Sequence, residues 1–378
     1  MHITIDYTPA VHQGAGIGRH TRGLVNALAP LLDKHKVTLL VFGSPPEGLV
    51  KAPDGMDVRI VPIASRWLTI GWHRLKVPLP VDWLSSPSDL YHASDFALPP
   101  VRRAKTLLTI HDLSFLTVPE YADERLRCFL ANTVPHSVRR ANHILADSKS
   151  TKRDLVDLMN VDEEQITVVY PGVDHRFQPL TNSPGLQIVR EKYGLGRAPF
   201  ILGVSTLEPR KNWPGLIRSW DRLRRETDHP HRLVIAGGKG WLTNEIFRVA
   251  DESDFREDIT FTGFVEDADL PHLYSAADLF ALPTWYEGFG IPVVEAMACG
   301  TPVVCSDNSS LPEAAGDAAL LVDAADEVGL ISAMRLLIEN DSLRSELRQR
   351  GLAQARRFTW ESAAQTLLST YERVFSRP

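Results

Sequence analysis

Short apolar runs rich in β-branched residues recur along the whole chain, each closed by a Gly/Pro/Asp loop and followed by a segment with helical periodicity. In the first half the runs are "HITIDYT", "VTLLVFG", "VRIVPI", "LYHAS", "TLLTIHD", "HILADS" and "ITVVYPG"; in the second they are "PFILGVST", "RLVIAGG", "ITFTGF", "ADLFALPT", "TPVVCSD" and "AALLVD". Strands that are apolar on nearly every residue suit a parallel sheet covered on both faces. Strand–helix alternation of this kind builds βαβ units. The predicted class is therefore α/β, with parallel sheets.

A chain of 378 residues exceeds what one core usually serves, which predicts two domains. Proline and glycine cluster in "YPGVDHRFQPLTNSPGLQ", residues 170–187, between halves of similar rhythm. The expected layout is a Rossmann-like domain over 1–172, a second over 173–359, and an amphipathic helix near 360–378 that packs back on the first. Two such domains facing each other across a deep cleft place the chemistry in loops at the carboxyl ends of strands.

Composition narrows the function. The chain is 44% hydrophobic and 23% charged, as in an ordinary globular protein, and its formal charge of −6 argues against a general nucleic-acid binder. The cysteines, Cys128, Cys299 and Cys305, are odd in number and form no CxxC pair, so neither a disulfide framework nor a zinc site is expected. No basic and apolar leader precedes "HITIDYT", and no apolar run reaches membrane-spanning length. The expected location is the cytoplasm, with membrane contact limited to the periphery.

Four loops hold polar groups where ligands are expected. Gly14-Ala15-Gly16-Ile17-Gly18-Arg19 follows the first strand and leads into a helix start that favours anions. Arg19 breaks the dinucleotide fingerprint and the second strand ends "VFGS" without a ribose-binding acid, which disfavours NAD or FAD. A plain glycine-rich turn is the alternative. In "STLEPRKNWPGLI", Arg210 and Lys211 stand together at a strand end, as a diphosphate clamp or as a solvated pair. In "YEGFGIPVVEAMACGTPVV", Glu287 precedes a helix expected to begin near Ile291-Pro292 and to stop at Gly300, with Glu295 in its first turn. A first-turn Glu is also an ordinary helix-dipole partner. In "LLTIHDLSF", His111 and Asp112 end a strand, as a polar contact to a ligand or as a structural pair.

Two further features read as structural. Asp267-Ala268-Asp269 has the form of a metal-binding DxD, but it precedes a helix, where Asp267 or Asp269 is expected as the N-cap. No metal and no other cofactor is expected. Trp67, Trp72 and Trp83 lie among Arg66, His73, Arg74 and Lys76, as packing anchors ahead of an interfacial patch or a sugar-acceptor wall.

Taken together, "YEGFGIPVVEAMACGTPVV", "GVSTLEPRKN", "VIAGGKGW", "TGFVEDADLPHLYSAADLF" and "TVVYPGVD" resemble the retaining GT-B glycosyltransferases of family 4, also called group 1. The resemblance is dense over 166–359 and looser through "GIGRHTRGL", "TIHDLSFL" and "SVRRANHILADSKSTKRDL". It implies that Glu287 contacts the donor sugar near the reacting carbon and that the amides of Gly288, Phe289 and Gly290 hold its hydroxyls. It implies Glu295 on the nucleoside ribose, Arg210 and Lys211 with Gly16 on the diphosphate, and His111 with Asp112 bordering the sugar. Ala15 departs from the second glycine of many members. The wording most resembles bacterial GDP-mannose-dependent mannosyltransferases of surface polysaccharide synthesis, acting on a glycan or lipid-linked acceptor. A UDP-sugar transferase, an epimerase of the same fold and a non-catalytic nucleotide-sugar-binding subunit are the alternatives.

Overall fold

Every one of the apolar runs forms a strand in the computed structural model, which describes residues 1–14, 16–46 and 48–376. The departure at Ala15 and the last two residues of the expected C-terminal helix therefore lie outside the described residues. The chain divides into two units: Met1–Leu113 with Arg125–Gly172 and Thr359–Pro378, and Ser114–Glu124 with Val173–Phe358.

The first unit holds β1 (His2–Asp6), β2 (Lys36–Phe42), β3 (Met56–Val61), β4 (Leu90–Ala93), β5 (Lys105–Ile110), β6 (His143–Ala146) and β7 (Ile166–Val168). Their order is β3-β2-β1-β4-β5-β6-β7, parallel throughout. The order reverses between β1 and β4, and a ligand crevice in an open α/β sheet forms outside the strand ends at such a reversal. The central strands are buried on both faces, whereas edge strand β3 exposes four of its six residues.

The second unit holds β8 (Phe200–Val204), β9 (Arg232–Ala236), β10 (Ile259–Gly263), β11 (Leu279–Leu282), β12 (Val303–Ser306) and β13 (Ala319–Val322). Their order is β10-β9-β8-β11-β12-β13, again all parallel, with the reversal between β8 and β11. Trp213, Leu216, Ile217 and Trp220 of helix Trp213–Glu226 fill the core on one face of this sheet.

Two chain segments sit in the unit remote from them in sequence. Helix Trp360–Ser376 joins the core of the first unit through Ala363, Ala364, Leu367, Tyr371 and Val374. Its Tyr371 hydroxyl is 2.7 Å from His92 Nδ1, and His92 Nε2 is 2.8 Å from Thr109 Oγ1. Burial holds His92 neutral by pushing its pKa to about 3, so these hydroxyls serve one donor and one acceptor nitrogen. Conversely, Ser114–Glu124, expected within the first domain, groups with the second unit. There Tyr121 stacks on Trp285 (5.5 Å, 7°), and Trp241 Nε1 donates to the Tyr121 carbonyl across 3.0 Å.

The tryptophans of 67–83 divide. Trp72 is a packing anchor: its indole N–H donates to the Leu79 carbonyl and its ring meets Phe42 edge-on. Trp67 and Trp83 are 59% and 63% exposed, which corrects the packing expectation for both.

Candidate active site

The reversal in the second sheet brings the loops after β8 and β11 together, and these carry Arg210, Lys211 and Glu287. Asn212 adopts positive φ (53°) and caps helix Trp213–Glu226 by accepting from the Gly215 amide, turning the chain sharply after the two cations. The Trp285 amide and the Thr284 hydroxyl both donate to the Arg210 carbonyl, and the Arg210 guanidinium donates to the Tyr286 carbonyl. The loops are thus bound backbone to backbone before any charge is counted.

Four charges converge there. Lys211 Nζ donates to Glu287 Oε1 at 2.7 Å and lies 3.8 Å from Glu208 Oε1. Arg210 contacts Glu208 at 2.9 Å and approaches Glu287 at 3.8 Å. Glu208, Lys211 and Glu287 are all buried. Two cations and two carboxylates balance, so each carboxylate offsets the burial cost of its neighbours. Glu208 was absent from the sequence-based site. It stands in "LEPRKN" two residues before Arg210, and its role emerges only when the loop folds back on itself.

Glu287 is further fixed through its backbone. Its amide donates to Ser309 Oγ (2.9 Å), and its carbonyl accepts from Ser310 Oγ (2.8 Å). Gly288 is half-buried and Phe289 is buried, its ring edge-on to Phe358. Gly290 has φ of 94°, a conformation that favours glycine, and a Cβ there would lie 2.5 Å from the Leu311 Cδ2 methyl, which would have to shift.

Helix Ile291–Ala298 starts and ends as expected, with Gly300 at positive φ after the Cys299 cap. Glu295, however, is its fifth residue, one turn deeper than expected. It is buried and accepts from the Tyr274 hydroxyl at 3.1 Å. The dipole reading is therefore the weaker one, because the effect fades beyond the first turn. Burial, with the Glu295 charge adding to it, pushes the Cys299 thiol up to about 12.

In the first unit Gly16 is the N-cap of helix Ile17–Leu28, with φ 52° and ψ −115° and no side-chain cap. The first-turn amides of such a helix have no intrahelical acceptors and suit an anion. Arg22 braces the approach, donating to the carbonyls of Ala10, Gln13 and Gly14 at 2.6, 2.9 and 3.0 Å.

His111 follows β5, but its partner is not Asp112. Its Nδ1 donates to Asp147 Oδ2 at 2.7 Å and its Nε2 donates to the Ser94 carbonyl at 3.0 Å. The reason is sheet register: Ile110 pairs with Ala146, which places the next residue of each strand side by side. With both nitrogens on acceptors, the imidazolium is the favoured form. Burial pulls its pKa down, but the Asp147 charge and hydrogen bond, with Asp95 and the Ser94 carbonyl, outweigh it and raise the value to about 9.

His20 Nε2 lies 3.6 Å from the other Asp147 oxygen, and burial lowers its pKa to about 4. His20, His111 and Asp147 bring three potential ligand atoms within 4.8 Å of one another, the one such group among the described residues. To bind an ion there, His111 must give up the Nδ1 proton that now bridges to Asp147. The DxD carboxylates are engaged elsewhere. Asp269 occupies the N-cap position of helix Leu270–Ala276 without a capping bond, because Lys192 and Tyr193 hold its carboxylate at 2.7 and 2.8 Å. Asp267 lies 3.7 Å from Arg176.

Comparison with known proteins gives the family and the fold. Residues 187–354 match the family described as "Glycosyl transferases group 1", and residues 14–177 match "Glycosyltransferase Family 4". The chain is 31% identical to O-antigen chain mannosyltransferase B of Escherichia coli, over 98% of this chain and 100% of that protein. It is 30% identical to the serotype-specific mannosyltransferase WbdA of Escherichia coli over 71% of its own length, spanning 34% of that longer protein. Among solved structures, sucrose-phosphate synthase from Thermosynechococcus elongatus superposes with a TM-score of 0.80 at 19% identity, covering 100% of this chain and 99% of that one. WaaG, a glycosyltransferase involved in lipopolysaccharide biosynthesis, superposes with a TM-score of 0.73 at 16% identity, covering 98% and 99%. The protein has the GT-B fold and belongs to the group 1, or family 4, glycosyltransferases.

Proposed function

We propose that the protein is a retaining mannosyltransferase that takes mannose from GDP-mannose and adds it to a glycan or lipid-linked acceptor in surface polysaccharide synthesis. The observation that carries this reading is the end-to-end correspondence with the Escherichia coli O-antigen mannosyltransferase. The acceptor is reached from the cytoplasm, and neither a metal nor another cofactor takes part.

The chemistry assigned to the residues follows from where charge develops. As the bond from C1 to the diphosphate oxygen breaks, negative charge accumulates on the departing diphosphate. Arg210 and Lys211, with the helix start at Gly16, stabilise that charge. Glu287 receives the donor sugar beside the reacting carbon with the amides of Gly288, Phe289 and Gly290, and Glu295 receives the ribose. The acceptor oxygen bonds to C1 on the face the diphosphate leaves, and its proton passes to a diphosphate oxygen. His111 acts as a fixed cation beside the sugar rather than as a proton acceptor, supported by its two acceptor contacts.

A thermal-shift panel of GDP-, UDP-, ADP- and dTDP-sugars tests the donor. A ligand at a hundred times its Kd raises stability by about 2.7 kcal/mol. GDP-mannose is expected to give the largest shift. A UDP-sugar shift without a GDP-mannose shift transfers the reading to a UDP-sugar enzyme. Proton NMR of the product tests stereochemistry, and an inverted anomer overturns retention. Donor turnover without acceptor points instead to an epimerase.

A further inference from the structure

Three buried side chains of the first unit converge where a helix start meets two strand ends. His20 is the fourth residue of helix Ile17–Leu28, His111 follows β5 and Asp147 follows β6. Asp147 serves both histidines: one carboxylate oxygen lies 2.7 Å from His111 Nδ1 and the other 3.6 Å from His20 Nε2. The two imidazole rings meet edge-on at 5.0 Å. All three potential ligand atoms fall within 4.8 Å of one another.

His20 holds a nitrogen that the protein's own bonding leaves over. Its Nε2 is buried and makes no hydrogen bond to any described residue. A buried polar atom left in this way costs free energy, and 3.6 Å to the carboxylate is too long for a hydrogen bond. It is close to the spacing of two ligands on one ion, since atoms about 2.1 Å from a tetrahedral metal lie about 3.4 Å from each other. His111 is prepared as a second ligand through its other nitrogen. The Nε2–H donates to the Ser94 carbonyl at 3.0 Å, the outer bond by which a metal-ligating histidine fixes its tautomer. Phe96 meets the His111 ring edge-on at 5.5 Å and Trp360 meets His20 at 5.7 Å, so both rings are held. His20, His111 and Asp147 keep 5%, 7% and 8% of their surface, so the site is not sealed.

We propose that His20, His111 and Asp147 bind one divalent transition-metal ion of the zinc class, and that this ion inhibits the protein rather than serving its reaction. Two imidazole nitrogens and one carboxylate oxygen suit Zn2+ or Co2+, whereas Mg2+ demands a near-octahedral set of oxygens. Three protein ligands leave the fourth tetrahedral position to water. The ion takes the place of the His111 Nδ1 proton, which passes to solvent. The 2.7 Å contact between Nδ1 and Asp147 must then open to about 3.4 Å. His111 is drawn from the place where the proposed function uses it, so the inhibition rests on that reading and the binding does not.

Titration of the chelator-stripped full chain with Zn2+ or Co2+ in excess Mg2+ tests binding without donor or acceptor, so its failure is distinct from failure of the mannosyltransferase reading. Binding is expected to saturate at one ion per chain, and Co2+ should show tetrahedral absorption bands and broaden the His20 and His111 imidazole resonances of the wild type. His20→Gln and Asp147→Asn are each expected to weaken binding at least about a hundredfold, more than loss of an outer partner costs. His229→Gln is the control and should change nothing, because His229 with His231 (5.9 Å between rings) and Glu339 (3.1 Å) offers the same ligand types elsewhere. Sugar transfer by the wild type should fall roughly a hundredfold at saturating Zn2+, as when one charge-stabilising group is lost, while His20→Gln keeps its turnover there. No stoichiometric binding, or binding that both variants retain, overturns the proposal. So does Co2+ broadening confined to other histidines, a result the wild type alone gives if either variant fails to fold. Zinc that binds at His20 and His111 without slowing transfer overturns the inhibition.

Discussion

Lys211 Nζ and Glu287 Oε1 meet at 2.7 Å although 76 residues separate them in the chain. The pair exists because β8 and β11 are neighbours in the sheet and each ends in a loop that turns toward the other. It gives Glu287 a fixed position and Lys211 a fixed direction, and under the proposed function the same contact would serve both stability and activity.

That coupling can be separated by experiment. Lys211→Met removes a clamp cation and leaves Glu287 buried without its closest partner. Breaking a buried pair in this way costs about 3–5 kcal/mol of stability, and losing one charge-stabilising donor costs roughly a hundred- to a thousandfold in kcat. Adding Glu287→Gln removes the stranded charge, so most of the stability should return. Activity should not, because the double variant lacks both the cation and the sugar-facing carboxylate. Denaturant unfolding and turnover on the wild type, Lys211→Met and the double variant check this. Recovery of turnover in the double variant would exclude the roles assigned to Lys211 and Glu287.

The strands were legible in the sequence for a physical reason. A parallel strand covered on both faces must be apolar at nearly every position, and β2, with six consecutive buried residues, is a clear case. The meeting of polar groups in strand-end loops was legible too, because Arg210, Lys211 and Glu287 stand in the loops that follow such runs. Partners contributed by a neighbouring strand were not. Asp147 faces His111 through the register of β5 with β6, and a reader of the sequence without the sheet order sees Asp112 first. Glu208 escaped notice because its significance is electrostatic and arises from a turn. The depth of Glu295 was countable in the sequence, since the helix begins where expected and Glu295 is its fifth residue. The exposure of Trp67 and Trp83 could not be read from composition, since tryptophans among basic residues serve packing and interfaces alike.

Three buried histidines, His111 and His20 on Asp147 and His92 beside Tyr371, predict the shape of the pH–stability curve. His111 has its pKa raised from 6.5 to about 9, so its contribution is complete below about 6.5 and is lost as pH rises through about 9. His20 and His92 have theirs lowered from 6.5 to about 4 and about 3. The unfolded chain then binds more protons than the folded one, so stability falls as pH drops below 6.5 through those values. Stability should therefore peak near neutrality and decline on both sides. Replacing Asp147 with Asn should remove the alkaline branch by returning His111 to a neutral imidazole, while leaving the acid branch due to His92 in place. Histidine NMR titration of wild type and variant reads this directly. A His111 resonance that titrates near 6.5 in the wild type would contradict the imidazolium assignment.

Gly16 offers a test of ligand approach that packing does not confound. A Cβ built there meets no atom within 4 Å, so Gly16→Ala creates no clash inside the protein. Its φ of 52° with ψ of −115° is nevertheless a conformation that L residues avoid. The cost in stability should be about 1–3 kcal/mol, released in part if the loop shifts. If the diphosphate binds at this helix start as proposed, the loss of donor affinity should exceed what that strain explains, because the added methyl group would compete with it for the open space at Gly16. Calorimetric titration with the nucleoside diphosphate separates the two effects: weaker diphosphate binding with a nearly intact fold supports phosphate contact at Gly16. Unchanged diphosphate affinity in a folded Gly16→Ala protein would show that the glycine serves only the turn.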